Sequence, residues 1–560
     1  MRSQPSHLLR YTFPMMRWVT LAAVAGVGVW ALPVRSLPQN GQVKAGEAVI
    51  VQPTSDRLNV VQSSDRAVIN WTSFGIAGSE WVNFQQPSAN SATLNRVTGN
   101  FTSEIAGRLT SNGQLFLINP NGILFTPTAQ INVGSLLTTT LDTKDSDFMK
   151  GQLKFWQLLD KPLGKVENQG NITVKDGGFA ALVAPGVANS GVINARLGHI
   201  LLGSGTTATL DFLWRWVNFL CRRSHHHRSM VGRNGRPFNL LRNSGSSTLS
   251  DGGVVMLSAQ TGSNIVNNSI NMDGVVPART LLNRKGKVVL SGADVGSVTV
   301  SGTLDVSGQG SGEQGGTIQV LGKQVDLKST AQLLASGDAG GGTVLVGGDY
   351  QGKGSLPRSL NTNVSAGAQI EANALTNGKG GKVIVWSDGV TTMNGNIFAR
   401  GGQKGGDGGF VETSGKKGLG IAATANVDVG SNIDKAGTWL LDPDRLFIAN
   451  SLSSDTTLVG PPTGDFTVAP SVIVDALSRG DVNLAATQLI QVDAAIDSRG
   501  QGSGSTLRFS DQPSDGASTP DGALTINLNA PINLGVEQTL TGRVRRLTST
   551  RRFLIFSRMV

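Results

Sequence analysis

A Gly-Gly pair followed by a short apolar run recurs along this chain and limits its fold more than any other feature. It reads GGFAAL from Gly177, GGVVML from Gly252, GGTIQV from Gly315, GGTVLV from Gly341, GGKVIV from Gly380 and GGFVET from Gly408. The spacings from Gly315 onward are 26, 39 and 28 residues. A second echo joins NQGNITVKDGG from Asn168 to NSGVINARLGH from Asn189, 21 residues later. Units of this length, made only of strands and turns, bury their apolar side chains against the copies above and below them. They predict an all-β chain wound as a parallel β-helix (a β-solenoid), its strands stacked about 4.8 Å apart. At roughly 20–26 residues per coil the chain would make about 20 coils. A set of β-sandwiches is the competing architecture, but it needs tight hairpin turns between strands. Such signals are rare here and no domain-sized break appears.

Alternation supports the strands. In EWVNFQQP, Trp81 and Asn83 would face one way, Val82 and Phe84 the other. The 73 glycines suit corners, while the plentiful Val, Ile and Leu exclude a disordered chain. The net charge of +10 does not describe the folded body. Residues 1–36, 212–250 and 541–560 hold 17 arginines and no acid, so the rest of the chain is net negative by 7. A nucleic-acid surface needs cations spread over the fold, and nucleic-acid binding is set aside. Cys221 is the single cysteine, so no intrachain disulfide can form.

Residues 1–36 read as a signal peptide. Arg10 and Arg17 precede the apolar run from Trp18 to Val34, and small residues follow at cleavage positions. Pro33 and the shortness of the run argue against a membrane anchor, and no other segment is apolar enough to span a bilayer. Residues 212–242 depart from every pattern around them, with two Trp, seven Arg, three His and the cysteine in one stretch. A metal site from Cys221 and His225 to His227 is disfavoured, because consecutive side chains on a strand alternate faces. A codon argument favours a frameshift: tryptophan has one codon, and reading Leu213–Val217 one base later can give Tyr-Gly-Asp-Gly, words typical of the rest of the chain. The frame would be restored before Asn243, and resequencing the gene tests this. The arginine-rich tail, 541–560, reads as a second shift or as a disordered basic tail. Between these lie two further divisions, 37–211 and the coil repeats of 243–540.

Within 37–211, SNGQLFLINPNGIL (Ser111–Leu124) is strand, turn, strand. Leu115–Ile118 suits a fully buried strand. In the turn, Pro120 presets φ, Asn119 caps from position i, and Gly122 suits position i+3. Ile123 opens the next apolar run. With SSDRAVINWTSFGI, VNFQQPS, LNRVTGN and AQINVGSL around it, this region resembles the secretion domain of filamentous-haemagglutinin-like exoproteins of two-partner secretion. NPNGI is a signature of that domain, while its second signature, NPNL, is absent as written. GGFVETSGKKG and AGTWLLDPDRLFI (Gly408–Ile448) resemble a segment of large haemagglutinin-type adhesins. The resemblance implies a right-handed β-helix, export through the periplasm and an outer-membrane β-barrel transporter, and a place outside the cell or on its surface. It also implies a secretion motif at Asn119, Pro120, Asn121, Gly122 and Ile123, so that Asn119→Ala or Asn121→Ala should impair secretion more than stability.

The expected role is adhesion or aggregation through a β-helical stalk, with host or neighbouring-cell glycans or proteins as partners and no enzymatic activity. No cofactor or metal is expected. Asp407 in GGDGG hints at calcium-binding repeats but occurs once, and Asp442 and Asp444 in LLDPDR read as a Pro-centred turn. No paired carboxylates or Ser-His-Asp group with supporting context is seen. A β-helical polysaccharide-processing enzyme is the alternative; it would need two or three acids, or a basic residue with bound calcium, converging on one coil face. A second alternative is the delivery stalk of a truncated contact-dependent toxin.

Overall fold

The computed structural model describes residues 37–210, 240–259, 270–450, 467–500, 504–510, 524–542 and 547–549, apart from positions 162, 246, 282, 283, 294, 536 and 537. The chain divides into two compact units, residues 1–34 and 35–560. The first, with the expected signal peptide, lies outside the described residues.

The second unit is a right-handed parallel β-helix with three faces. Among the described residues, the first face is a sheet of 17 strands, the second a sheet of 16, and the third is divided into sheets of 8, 6 and 2 strands. One coil takes one strand from each face, as in Gln114–Ile118, Ile123–Phe125 and Gln130–Val133. Antiparallel strands close the N-terminal end: Gln42–Ala45 pairs with Arg66–Trp71, and Ala48–Thr54 with Arg57–Gln62.

The repeats seen in the sequence are the ladder registers. Thr317 pairs with Thr343, Thr343 with Lys382 and Lys382 with Phe410, reproducing the 26-, 39- and 28-residue spacings. Asn168 likewise pairs with Asn189. An inward column of the first face runs Leu115, Leu136, Ala180, Ile200, Val255, Val288, Ile318, Val344, Val383, Val411, Trp439, Val482, Leu507, each residue paired with the next. All of these are buried in one continuous core. On the second face Asn168, Asn189 and Asn243 form a buried amide ladder, with Nδ2 to Oδ1 distances of 2.8 and 2.7 Å.

The recurring Gly-Gly has a steric cause. The second glycine of each pair sits against the carbonyl of its counterpart one coil earlier. A Cβ on Gly342, Gly381 or Gly409 would lie 2.2, 2.2 and 2.3 Å from the oxygens of Gly316, Gly342 and Gly381. No side chain fits that approach.

The outer side of the first face is partly covered as well. Residues 140–164 and 207–210 fold over it and bury Leu94, Phe116, Leu137 and Phe148 in a second apolar cluster. Such insertions lengthen coils. Thr139 and Phe179 belong to successive first-face strands yet are separated by 40 residues.

Residues 212–239 of the anomalous segment lie outside the described residues, including Cys221 and His225 to His227. Leu240 and Leu241 already fill the core, so the chain is back in the coil three residues before Asn243. Thr539–Gly542 and Leu547–Ser549 continue the ladders, and the rest of the expected tail, 543–546 and 550–560, lies outside the described residues.

Candidate functional site: the Asn119–Ile123 corner and a buried acid cluster

Both faces of Gln114–Ile118 are buried, Leu115 and Leu117 in the inner core and Phe116 and Ile118 in the outer cluster. The turn that follows is a corner between the first and second faces. Gly122 N–H donates to the Asn119 carbonyl at 3.0 Å, closing the turn, and Gly122 has φ +114°. Asn119 Oδ1 accepts the Asn121 N–H at 3.0 Å, as the sequence predicts for position i.

The structure adds ties to other coils. Asn119 is fully buried and its Nδ2 donates to the Phe101 carbonyl and to Ser103 Oγ, both at 2.9 Å. Asn121 Nδ2 reaches the Gly99 carbonyl at 2.8 Å. On the other side, Asn119 N–H donates to the Thr139 carbonyl at 3.0 Å. Pro120 and Ile123 are buried. The motif therefore locks three successive coils and offers little surface of its own, so its asparagines carry stability as well as any role in secretion. Beside it, Phe101 is 62% exposed.

A second site was missed in the sequence. The strap 347–360 crosses the outer side of the first face, packing Tyr350 and Leu356 on Leu345, Ile384 and Trp386. Leu345, Ile384, Glu412 and Leu440 are successive partners in that outward column. Glu412 is thus a carboxyl in an apolar column, fully buried under the strap. Gln351, with φ +53°, donates its backbone N–H to both Glu412 oxygens at 3.2 and 3.1 Å, and its Nε2 to Asp442 Oδ2 at 2.9 Å. Lys353 Nζ donates to Gln351 Oε1 at 2.7 Å. Burial, reinforced by Asp442, pushes the Glu412 carboxyl up to about 8.

Two carboxyls 30 residues apart in sequence are thereby brought into one buried cluster. Asp442 is buried and joins Glu412 through Gln351, while Asp444 instead accepts from Thr487 at a corner, at 2.9 Å. The 28-residue register was the available signal, since it places Asp442 beside Ser414, whose Oγ accepts the Asp442 N–H at 3.1 Å. The two motifs GGFVETSG and TWLLDP are therefore neighbours in adjoining coils, with Trp439 Nε1 donating to Thr413 Oγ1 at 2.9 Å.

Asp407 of GGDGG forms an ion pair with Lys379 at 3.0 Å. Among the described residues no group of three or more metal-ligating acids, histidines or cysteines occurs, and no helix is long and apolar enough to cross a membrane. His199 is pulled down to about 4 by burial and is neutral at pH 7.

The TPS secretion domain model matches residues 34–306, running past the expected boundary at 211. Two heme/hemopexin-binding proteins of Haemophilus influenzae are similar. One is 32% identical over 270 residues, 47% of this chain and 28% of that protein. The other is 31% identical over 301 residues, 51% and 31% respectively. The matched part of the chain thus spans less than a third of the length of either curated relative. The crystal structure of the HMW1 secretion domain from Haemophilus influenzae superposes with TM-score 0.60 at 31% identity, covering 72% of this chain and 100% of that one. With that secretion domain matched over its whole length at 31% identity on the same stacked coils, the chain belongs to the two-partner secretion exoproteins, which are exported across the outer membrane to the cell exterior.

Proposed function

We propose that the N-terminal coils carry the chain to and through an outer-membrane β-barrel transporter, and that the remaining coils work outside the cell as an adhesin-type stalk. The stalk holds its loops out to glycans or proteins of a host or a neighbouring cell. The observation that carries this reading is the unbroken first-face ladder, which runs from the secretion domain through Asp481–Ala485 to Thr539–Gly542. Asn119, Pro120, Asn121, Gly122 and Ile123 serve secretion by building the corner that ties the first coils together. A non-enzymatic role is part of the proposal. Glu412 and Asp442, the carboxyls brought together through Gln351, are fully buried and face the strap rather than a substrate groove.

The test is secretion and cell adhesion with and without the partner transporter. Export should require the transporter, and cells lacking the exoprotein should bind less to host cells or to each other. Export without any transporter would refute the reading. The relatives named for heme/hemopexin binding favour a second reading, capture of a heme-carrying host protein. Retention of hemopexin on the immobilised full chain would establish that ligand instead.

A further inference from the structure

The third face carries a groove of about 580 Å3 that neither the corner nor the strap uses. Its floor is a three-rung stack: Arg57 pairs with Trp81, and Trp81 with Arg108. The Arg57 guanidinium lies 3.9 Å from the indole centroid and that of Arg108 lies 5.4 Å from it. Because the two arginines occupy the rungs on either side, they flank opposite faces of the ring. Trp81 is held in turn, its Nε1 donating to Thr110 Oγ1 at 2.7 Å and Thr110 donating on to Asn83 Oδ1 at 2.7 Å. Stacking therefore pre-orders both guanidinium forks before any ligand arrives.

Those forks have little to bind. Arg57 Nε makes one long bond to Asn59 Oδ1, at 3.4 Å, and neither arginine has an ion-pair partner among the described residues. The two acids on the walls are engaged mainly elsewhere. Glu80 accepts the Ala77 N–H at 2.7 Å, and the exposed Asp56 carboxyl is held low first by the Thr54 hydroxyl and its own backbone N–H, with the Arg57 charge a smaller cause and no ion pair formed. The groove thus presents fixed, charged donors and needs a ligand that brings acceptors.

We infer that this groove binds an acidic peptide segment in extended conformation, with Arg57 and Arg108 each taking a carboxylate. Two rungs separate the arginines by about 10 Å, and alternate side chains of an extended strand stand about 7 Å apart, a difference that the arginine stems can span. A sugar ring would need a free aromatic face, and Trp81 has none. A dense polyanion would meet the Asp56 carboxylate at the rim, whereas two acids spaced by neutral residues avoid it.

The experiment is fluorescence anisotropy of a fluorescein-labelled octapeptide, titrated with the folded full-length protein. The peptide carries Glu at two alternate positions in a Ser/Gly background. The expected result is that Arg57→Gln with Arg108→Gln weakens binding at least tenfold, and that replacing the peptide's Glu by Gln does the same. Arg108→Gln alone, at an exposed residue outside the core, should lose several-fold with the fold intact by circular dichroism. Unchanged binding in the double variant, or equal binding of the Gln peptide, overturns the inference. So does binding of polygalacturonate through the same arginines in place of the peptide, which would make the ligand an acidic glycan.

Discussion

Replacing Asn119 by alanine separates the local turn from the tertiary lock it has become. The side chain makes four hydrogen bonds: two from Nδ2, to Phe101 O and Ser103 Oγ, and two into Oδ1, from Asn121 N and Nδ2. A net bond contributes about 1 kcal/mol, and a buried group left without its partner costs about 1–3 kcal/mol. Ser103 is 1% exposed, so its hydroxyl cannot turn to water. The expected loss is about 3 kcal/mol at this corner, or on the order of a hundredfold in its opening equilibrium. Hydrogen–deuterium exchange on the secreted full chain should show amides of 99–103 and 119–125 exchanging on the order of a hundredfold faster, with those of 317–346 unchanged. Asn119→Asp keeps an acceptor for Asn121 but loses the donor, and should open the 99–103 side preferentially. Unchanged exchange at 99–103 in the alanine variant would refute the lock. Secretion titres then decide the motif's second role. Asn121→Ala loses only the bonds to Gly99 and Asn119 (and the smaller stability), so a titre falling as far as in Asn119→Ala would mean direct recognition.

Three further outcomes follow from the packing. Glu412 is raised from an ordinary carboxylate value to about 8, so its contribution is fully present below about pH 4.5 and is lost as pH rises toward 8. Glu412→Gln should flatten the dependence of the urea midpoint on pH over that window; an unchanged slope would place the burial elsewhere. Gly381→Ala puts a Cβ 2.2 Å from the Gly342 carbonyl and should cost about 1–3 kcal/mol in chemical unfolding, whereas Gly504→Ala, with open space around it, should be neutral. Asn189→Ala takes the amide donor from Asn243 Oδ1 and leaves Asn168 Nδ2 only a long bond, 3.5 Å, to the Val192 carbonyl, and should destabilise by about 2 kcal/mol, read as a lower urea midpoint.

The sequence by itself determined the periodic part of this protein. In a parallel ladder each coil pairs with the next at a fixed offset, so the spacing of Thr317, Thr343, Lys382 and Phe410 is written directly in the Gly-Gly repeats. The Asn119–Gly122 turn was legible for the same reason: its bonds span three residues and depend on local residue types. What the tertiary structure alone decided is everything that crosses coils through side chains. Asn119 reaches Phe101 and Ser103, Gln351 reaches 61 residues to Glu412 and 91 to Asp442, and Arg57 and Arg108 meet over Trp81. No local pattern encodes such contacts, because they depend on insertions of unequal length. The strap 347–360 folds over the outer column, and only its path turned an acidic residue in a strand into a buried carboxyl.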